Sequence, residues 1–214
     1  MIASTPVARW VWGRDHEQND IVELCLGDVL LAHQALVVHR LGLGAPLIHV
    51  RIHEAGHPRN LLLDSDFASF GGCSAVEVAE RLARLIRELR GTGEIGFVRA
   101  TIDCVGEVGG GGSESVQKDL FRLTTAAFED YVTTSLVTNF DVWMPHDLRG
   151  RPQPTVYAAN QPRLAAALLD ISKVLATEID PGELTRFGRS TESGVDNLLD
   201  PAGTPSNVWD RYDE

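Results

Sequence analysis

His53, Glu54 and His57 have the residue types and the spacing of a hydrolytic zinc site, in the stretch His53-Glu54-Ala55-Gly56-His57. When such a stretch is helical, its two histidines lie one turn apart on the same face and bind zinc. The glutamate between them then activates a metal-bound water for attack on a carbonyl or a similar group. The chemistry would be zinc-dependent hydrolysis.

The residues around this stretch predict a hairpin connection instead of a helix. Residues 47–53 alternate apolar and polar side chains, which is typical of a half-buried strand. Gly56 is a poor helix former, and Pro58 disfavours helical backbone at His57. We therefore expect no bound metal, no cofactor and no enzymatic activity. A zinc-dependent hydrolase that uses His53, Glu54 and His57 stays open as an alternative.

No other stretch supplies a complete catalytic or nucleotide-binding motif. Cys73 precedes a predicted helix, where a thiol can be activated, but the sequence names no base for it. The chain has no Gly-x-Ser-x-Gly elbow and no Gly-x-Gly-x-x-Gly stretch between a strand and a helix. The glycine run at 109–113 lacks the lysine of a phosphate-binding loop.

The charge of the chain restricts its partners. Its 214 residues carry a formal net charge of −11 at pH 7. Such a surface repels phosphate backbones and anionic lipid, so we expect neither a nucleic-acid partner nor a membrane partner. Complementary charge speeds association with a basic protein. The three cysteines form no disulfide or zinc pattern and no export or membrane-spanning segment is evident, so we expect a cytoplasmic chain.

The pattern of apolar residues predicts an α+β fold. Helical spacing predicts helices at 28–41, 74–90, 115–131 and from Asn160 onward. The helix at 74–90 also has a capping box formed by Ser74 and Glu77. The remaining apolar runs predict strands, at 8–12, 20–26, 47–53, 61–63, 95–104, 134–144 and 155–158.

This order of elements predicts two similar helix-strand-strand-helix halves around an antiparallel sheet. The N-terminal half would span residues 1–108 and the C-terminal half residues 115–179. The glycine-rich residues 109–114 between them would be a linker, either native or engineered. Residues 180–214 would form an irregular, turn-rich segment packed on the body by its apolar residues.

The C-terminal segment is the expected partner-binding region. It holds eight acidic residues against three arginines. The candidate contact residues are acidic or aromatic: Glu192, Asp196, Asp200, Trp209, Asp210 and Tyr212. We expect a non-enzymatic protein-binding module, most specifically a bacterial immunity protein or antitoxin that occludes a basic, co-produced toxin. A secretion or assembly chaperone is the alternative binding function.

Overall fold

The structure, a computed structural model, describes residues 1–17, 20–69, 73–110 and 112–209. Within those residues it has an α+β fold with a large antiparallel sheet and three helices. The elements follow one another as β1 (Ala8–Asp15), α1 (Ile21–Val38), β2 (Leu47–Glu54), β3 (His57–Ala68), α2 (Ala75–Leu89), β4 (Ile95–Gly110), β5 (Ser113–Phe128), β6 (Tyr131–Thr138), α3 (Pro154–Leu175), β7 (Asp180–Pro181), β8 (Gly188–Thr191) and β9 (Gly194–Asn197).

The large sheet has seven strands in the order β3-β2-β4-β5-β6-β1-β7, and every neighbouring pair is antiparallel. β8 and β9 form a separate hairpin. One face of the large sheet is buried under the helices, because α1 packs against β4, β5 and β6 and lies between α2 and α3. The core is therefore a single apolar layer between that face and the helices.

α1 lies at the centre of this core. Among the described residues it is the one helix long and apolar enough to cross a membrane by length and composition alone. Most of its apolar side chains are buried inside the fold, including Val22, Leu26 and Leu36. Its composition is therefore that of a core helix in contact with protein on several sides.

Several predicted elements are confirmed. β1, β2, β3 and β4 include the strands predicted at 8–12, 47–53, 61–63 and 95–104. α2 begins at the predicted capping box, in which the Ser74 hydroxyl accepts from the Glu77 backbone N–H and the Glu77 carboxylate accepts from Ser74 N–H. The strand predicted at 134–144 is β6, which begins earlier and ends at Thr138.

Three other element predictions are wrong. Residues 20–26 belong to α1, whose N-cap is Asp20. Residues 115–131 lie mostly in strand β5, because Phe121, Leu123 and Ala127 alternate with exposed or half-buried residues. Residues 155–158 form the first turn of α3, which begins at Pro154 and not at Asn160.

The expected arrangement of two similar halves is not confirmed. The second half has no helix at 115–131, and strands from both sides of residues 109–114 belong to the same sheet. Gly109 and Gly110 end β4 and pair with Glu114 and Ser113 of β5. Four of the six residues of the expected linker therefore lie in the paired strand ends of a long β-hairpin.

The C-terminal segment is not entirely irregular, because it contains β7, β8 and β9. β7 extends the large sheet beside β1, and the β8–β9 hairpin contacts β1 and α3. The Trp10 indole N–H donates to Thr191 O at 2.8 Å, and the side chains of Phe187, Val195 and Val208 are buried. The segment also contains turns at 191–194 and 200–203.

Candidate protein-binding groove

A groove of about 630 Å³ lies in the C-terminal segment, where one of the predicted contact residues, Asp196, meets residues that the sequence did not single out. Its lining is mixed apolar and polar, and consists of Pro145, His146, Leu184, Arg189, Asp196, Asn197, Leu198, Leu199, Gly203 and Pro205. Leu184 and Leu199 are 62% and 61% exposed. The groove therefore presents two aliphatic side chains to solvent beside a carboxylate.

Asn197 connects the β8–β9 hairpin to the connection before α3. Its side-chain oxygen accepts from His146 N–H at 3.0 Å, and its side-chain nitrogen donates to His146 O at 2.8 Å. These two bonds fix one wall of the groove against the other, although the two residues are far apart in sequence.

Asp200 holds the loop that closes the groove. Its Oδ1 accepts from the backbone N–H groups of Ala202 and Thr204, each at 2.9 Å. Gly203 adopts a φ of +82°, a left-handed conformation that favours glycine, and its N–H donates to Asp200 O. Leu199 forms a bridge with Pro205 across the base of this loop. The loop thus has a fixed conformation that keeps Leu199 at the surface.

The charges at the groove belong to exposed side chains. Asp196 of β9 lies opposite Arg189 of β8. Asp200 and Glu183 are exposed next to the lining residues Leu199 and Leu184. The lining thus contains one carboxylate, Asp196, and one guanidinium, Arg189, while Glu183 and Asp200 add acidic side chains next to the two leucines in the sequence.

The other predicted contact residues lie elsewhere. Glu192 is exposed in the turn at the opposite end of the β8–β9 hairpin. Trp209 is half-buried against the core, and its backbone N–H donates to Leu148 O at 3.1 Å. Asp210 and Tyr212 lie outside the described residues.

The residues of the possible zinc motif lie in the β2–β3 hairpin, as the alternation of residues 47–53 predicts. His53 and Glu54 end β2, Gly56 turns the chain with a φ of +70°, and His57 begins β3. The His53 ring contacts the Phe97 ring edge-on, and Glu54 accepts a hydrogen bond from Asn60 at 2.5 Å. The helix that would place both histidines on one face is not formed, and no cluster of three potential metal ligands occurs in the described ranges.

A larger cleft of about 1170 Å³ lies beside this hairpin, at the end of the sheet. Its two arginines bond within the chain: Arg87 pairs with Asp20, and Arg90 donates to the carbonyls of Gly91 and Gly93. Because both guanidinium groups already bond to groups of this chain, they are less available to bind an anionic ligand in the cleft.

Two of the three cysteines are unsuited to nucleophilic chemistry. Burial raises the pKa of the Cys25 thiol and of the Cys104 thiol far above the ordinary value. Both thiols are therefore protonated at neutral pH and act as small core side chains.

No family model, no curated protein and no solved structure matches this chain.

Leu184 and Leu199 are the groove residues that the sequence interpretation missed. The only local sign of them is that each stands beside an acidic residue, in Glu183-Leu184 and in Leu199-Asp200. Their exposure depends on how residues 145–146, 184 and 196–205 come together.

Proposed function

We propose that this chain is a non-enzymatic protein-binding module, and most specifically a cytoplasmic immunity protein or antitoxin that occludes a basic toxin. The observation that supports this function best is the groove in which the exposed Leu184 and Leu199 lie beside Asp196. It combines apolar anchoring contacts with acidic side chains around them.

The apolar part of the groove supplies affinity. Removing an aliphatic side chain from water is worth about 1.5–3 kcal/mol when burial is complete. Leu184 and Leu199 are a little over half exposed. Covering both would therefore contribute on the order of 2 kcal/mol to binding, which corresponds to a factor of about 30 in affinity.

The acidic part of the surface determines which class of partner is favoured. With a net charge of −11, the chain attracts basic proteins and repels other acidic ones. Asp196 and Asp200 lie where an arginine or lysine of the partner would meet them while an apolar side chain fills the space between the leucines. Toxins that act on nucleic acids or nucleotides have basic active sites, and an acidic protein can cover such a site.

Quantitative capture from cells of the source organism tests this function. The bait proteins are the wild type, Leu184→Asp, Leu199→Asp and the control Leu169→Asp, whose leucine is 57% exposed on α3 and outside the groove. We expect one basic protein to be retained by the wild type and the control at least about tenfold more than by the two groove variants. Equal retention by all four baits, or retention of no protein, would contradict the proposal.

The exposed leucines also fit a secretion or assembly chaperone that holds an apolar segment of its partner. The two functions differ in their dependence on salt, because screening weakens charge attraction and leaves apolar contact largely unchanged. Binding that is insensitive to salt, together with loss in Leu199→Asp, would favour the chaperone.

A further inference from the structure

The face of the large sheet opposite the helices is open to solvent. In the described part of the chain no helix lies on it, since the helices pack on the buried face. Its side chains alternate with the core residues along β1, β6, β5, β4 and β2, and the strand register aligns them in rows across the sheet.

Much of this face is uncharged, although the exposed Arg99 of the central strand β4 lies within it. The uncharged side chains in the middle are small, and all are half-buried: Val11, Gly13, Thr101, Thr124, Ala126, Thr133, Ser135 and Val137. One end carries an aromatic row in which Phe97 pairs across strands with Phe128, and Phe128 pairs with Tyr131. Phe128 and Tyr131 are 51% and 46% exposed. A contiguous surface of this kind fits protein contact better than a solvated face of lysine and glutamate does.

The charges around this surface balance. The arginines are Arg9, Arg51, Arg99 and Arg122, and the aspartates are Asp15, Asp64, Asp66 and Asp103. Several neutralise one another directly, as where Arg122 Nε donates to Asp103 at 2.7 Å and Arg51 Nε to Asp64 at 3.1 Å. The net charge of −11 is therefore carried elsewhere on the chain. This is the face through which two copies can approach without strong repulsion.

The cross-strand pairs also make the face self-complementary. A two-fold axis parallel to β4 and β5 and midway between them would stack the β4 of one copy over the β5 of the other. Phe97 pairs with Phe128 within one sheet, so Phe97 of one copy would face Phe128 of the other copy. In the same way, Asp103 of one copy would face Arg122 of the other. Arg99 would then meet the small Ala126, which leaves room for its guanidinium group.

We propose that this open face is the interface of a homodimer in which two sheets pack face to face. Sheets pack in this way about 10 Å apart through interdigitated small side chains. Five strands and four rows of side chains cover on the order of 600 Å² per copy, close to the roughly 800 Å² of a standard interface. The groove lies in the C-terminal segment, so the dimer presents two copies of it and does not depend on the proposed function.

Sedimentation equilibrium of the full chain, from about 1 μM to about 100 μM, tests the dimer. The test variants are Ala126→Arg and Thr124→Lys, which place a charge in the middle of the face. The control is Gln34→Arg, which adds a charge at an exposed position of the helix layer. Circular dichroism checks that each protein is folded.

We expect the wild type and Gln34→Arg to approach twice the 23.3 kDa chain mass at the upper concentration, while both face variants stay at 23.3 kDa. A wild type that remains at the chain mass throughout would overturn the proposal. A dimer that persists in both folded face variants would overturn it as well, because the contact would then lie elsewhere.

Discussion

Asn160, buried within α3, holds Gly109 of the β4–β5 hairpin through a pair of hydrogen bonds. Its Oδ1 accepts from Gly109 N–H at 2.9 Å, and its Nδ2 donates to Gly109 O at 2.7 Å. Nδ2 also donates to Val156 O at 2.7 Å. The Asn160 amide thus provides hydrogen-bond partners for the backbone of a neighbouring strand. The glycines of that strand allow α3 to approach closely, since a Cβ at Gly110 would lie 2.9 Å from Val156.

Replacing Asn160 with alanine should lower the free energy of unfolding by about 2–4 kcal/mol, because the partly buried N–H and C=O of Gly109 lose their partner. The neighbouring Gln161→Ala is the control, since Gln161 makes one exposed bond of 3.2 Å to Ser193 O. It should change the free energy by less than about 0.5 kcal/mol. Urea unfolding measures both, and similar losses in the two variants would show that the Gly109 contact is not important.

Gly106 should be intolerant of alanine. A Cβ there would lie 2.5 Å from Leu120 Cδ2 and 2.9 Å from the carbonyl oxygen of Leu41, so the sheet or the adjoining loop must shift. We expect Gly106→Ala to destabilise the fold by about 2 kcal/mol or more.

Gly27 is the matched control, because it lies within α1 and a Cβ there meets nothing within 4 Å. Gly27→Ala should leave stability unchanged or raise it by up to about 1 kcal/mol. Thermal unfolding measures the stability of both variants. If Gly106→Ala is as stable as the wild type, Leu120 and Leu41 do not pack closely against Gly106.

The sequence predicted well those elements whose stabilising contacts are local. The capping box of α2 and the alternation of β2 depend on neighbours along the chain, and both appear where expected. Val116, Leu120, Leu123 and Ala127 of β5 fall at helical spacing and so predict a helix, while the buried polar residue Thr125 interrupts the alternation expected of a strand. Thr125 pairs with the buried Thr134 through a hydroxyl contact of 2.9 Å. This hydrogen bond forms only when β5 and β6 lie side by side, so the sequence alone does not show that Thr125 belongs to the buried face of a strand.

The groove shows the same difference between features that local sequence predicts and features that depend on long-range contacts. Composition alone identified Asp196 and Asp200 as candidate contact residues, since they stand in an acidic segment. It could not identify Leu184 or Leu199 as exposed, because the leucines of this turn-rich segment are expected to pack against the body of the fold. Their exposure follows from long-range contacts such as that between Asn197 and His146.

Acid should destabilise the fold through His33. This side chain is 4% exposed in α1, and burial lowers its pKa from 6.5 to about 4. The unfolded chain therefore binds a proton that the folded chain resists, so stability falls as the pH drops from about 6.5 towards 4. The full effect is on the order of 3 kcal/mol.

His33→Gln removes this titration and should flatten the pH dependence of the unfolding free energy between about pH 6.5 and 4. Gln34→Ala, at an exposed position of the same helix, should leave the slope unchanged. Unfolding in urea at several pH values distinguishes the two, and identical slopes in all three proteins would refute the assignment.

Asp28 and Arg14 form an ion pair with a buried carboxylate, and its loss should be costly. Two bonds of 2.7 and 2.8 Å join the guanidinium to the carboxylate, and the Asp28 side chain is 6% exposed. Arg14→Ala leaves the buried Asp28 carboxylate without its partner and should cost about 3–5 kcal/mol.

Lys173→Ala removes the exposed pair with Asp170 and should cost at most about 1 kcal/mol. Chemical unfolding measures the loss of stability in each variant. Equal losses would contradict the claim that the buried ion pair contributes more than the exposed one.

The association rate of the captured partner tests the proposed function most directly. It should be measured from about 50 mM to about 300 mM salt with the wild type, Asp196→Lys combined with Glu183→Lys, and the control Glu192→Lys at the far end of the hairpin. We predict that the wild-type and Glu192→Lys rates fall steeply with salt, while the double variant associates at least about tenfold more slowly at low salt and depends little on it. Equal rates and equal salt dependence in all three proteins would contradict an acidic groove as the binding site.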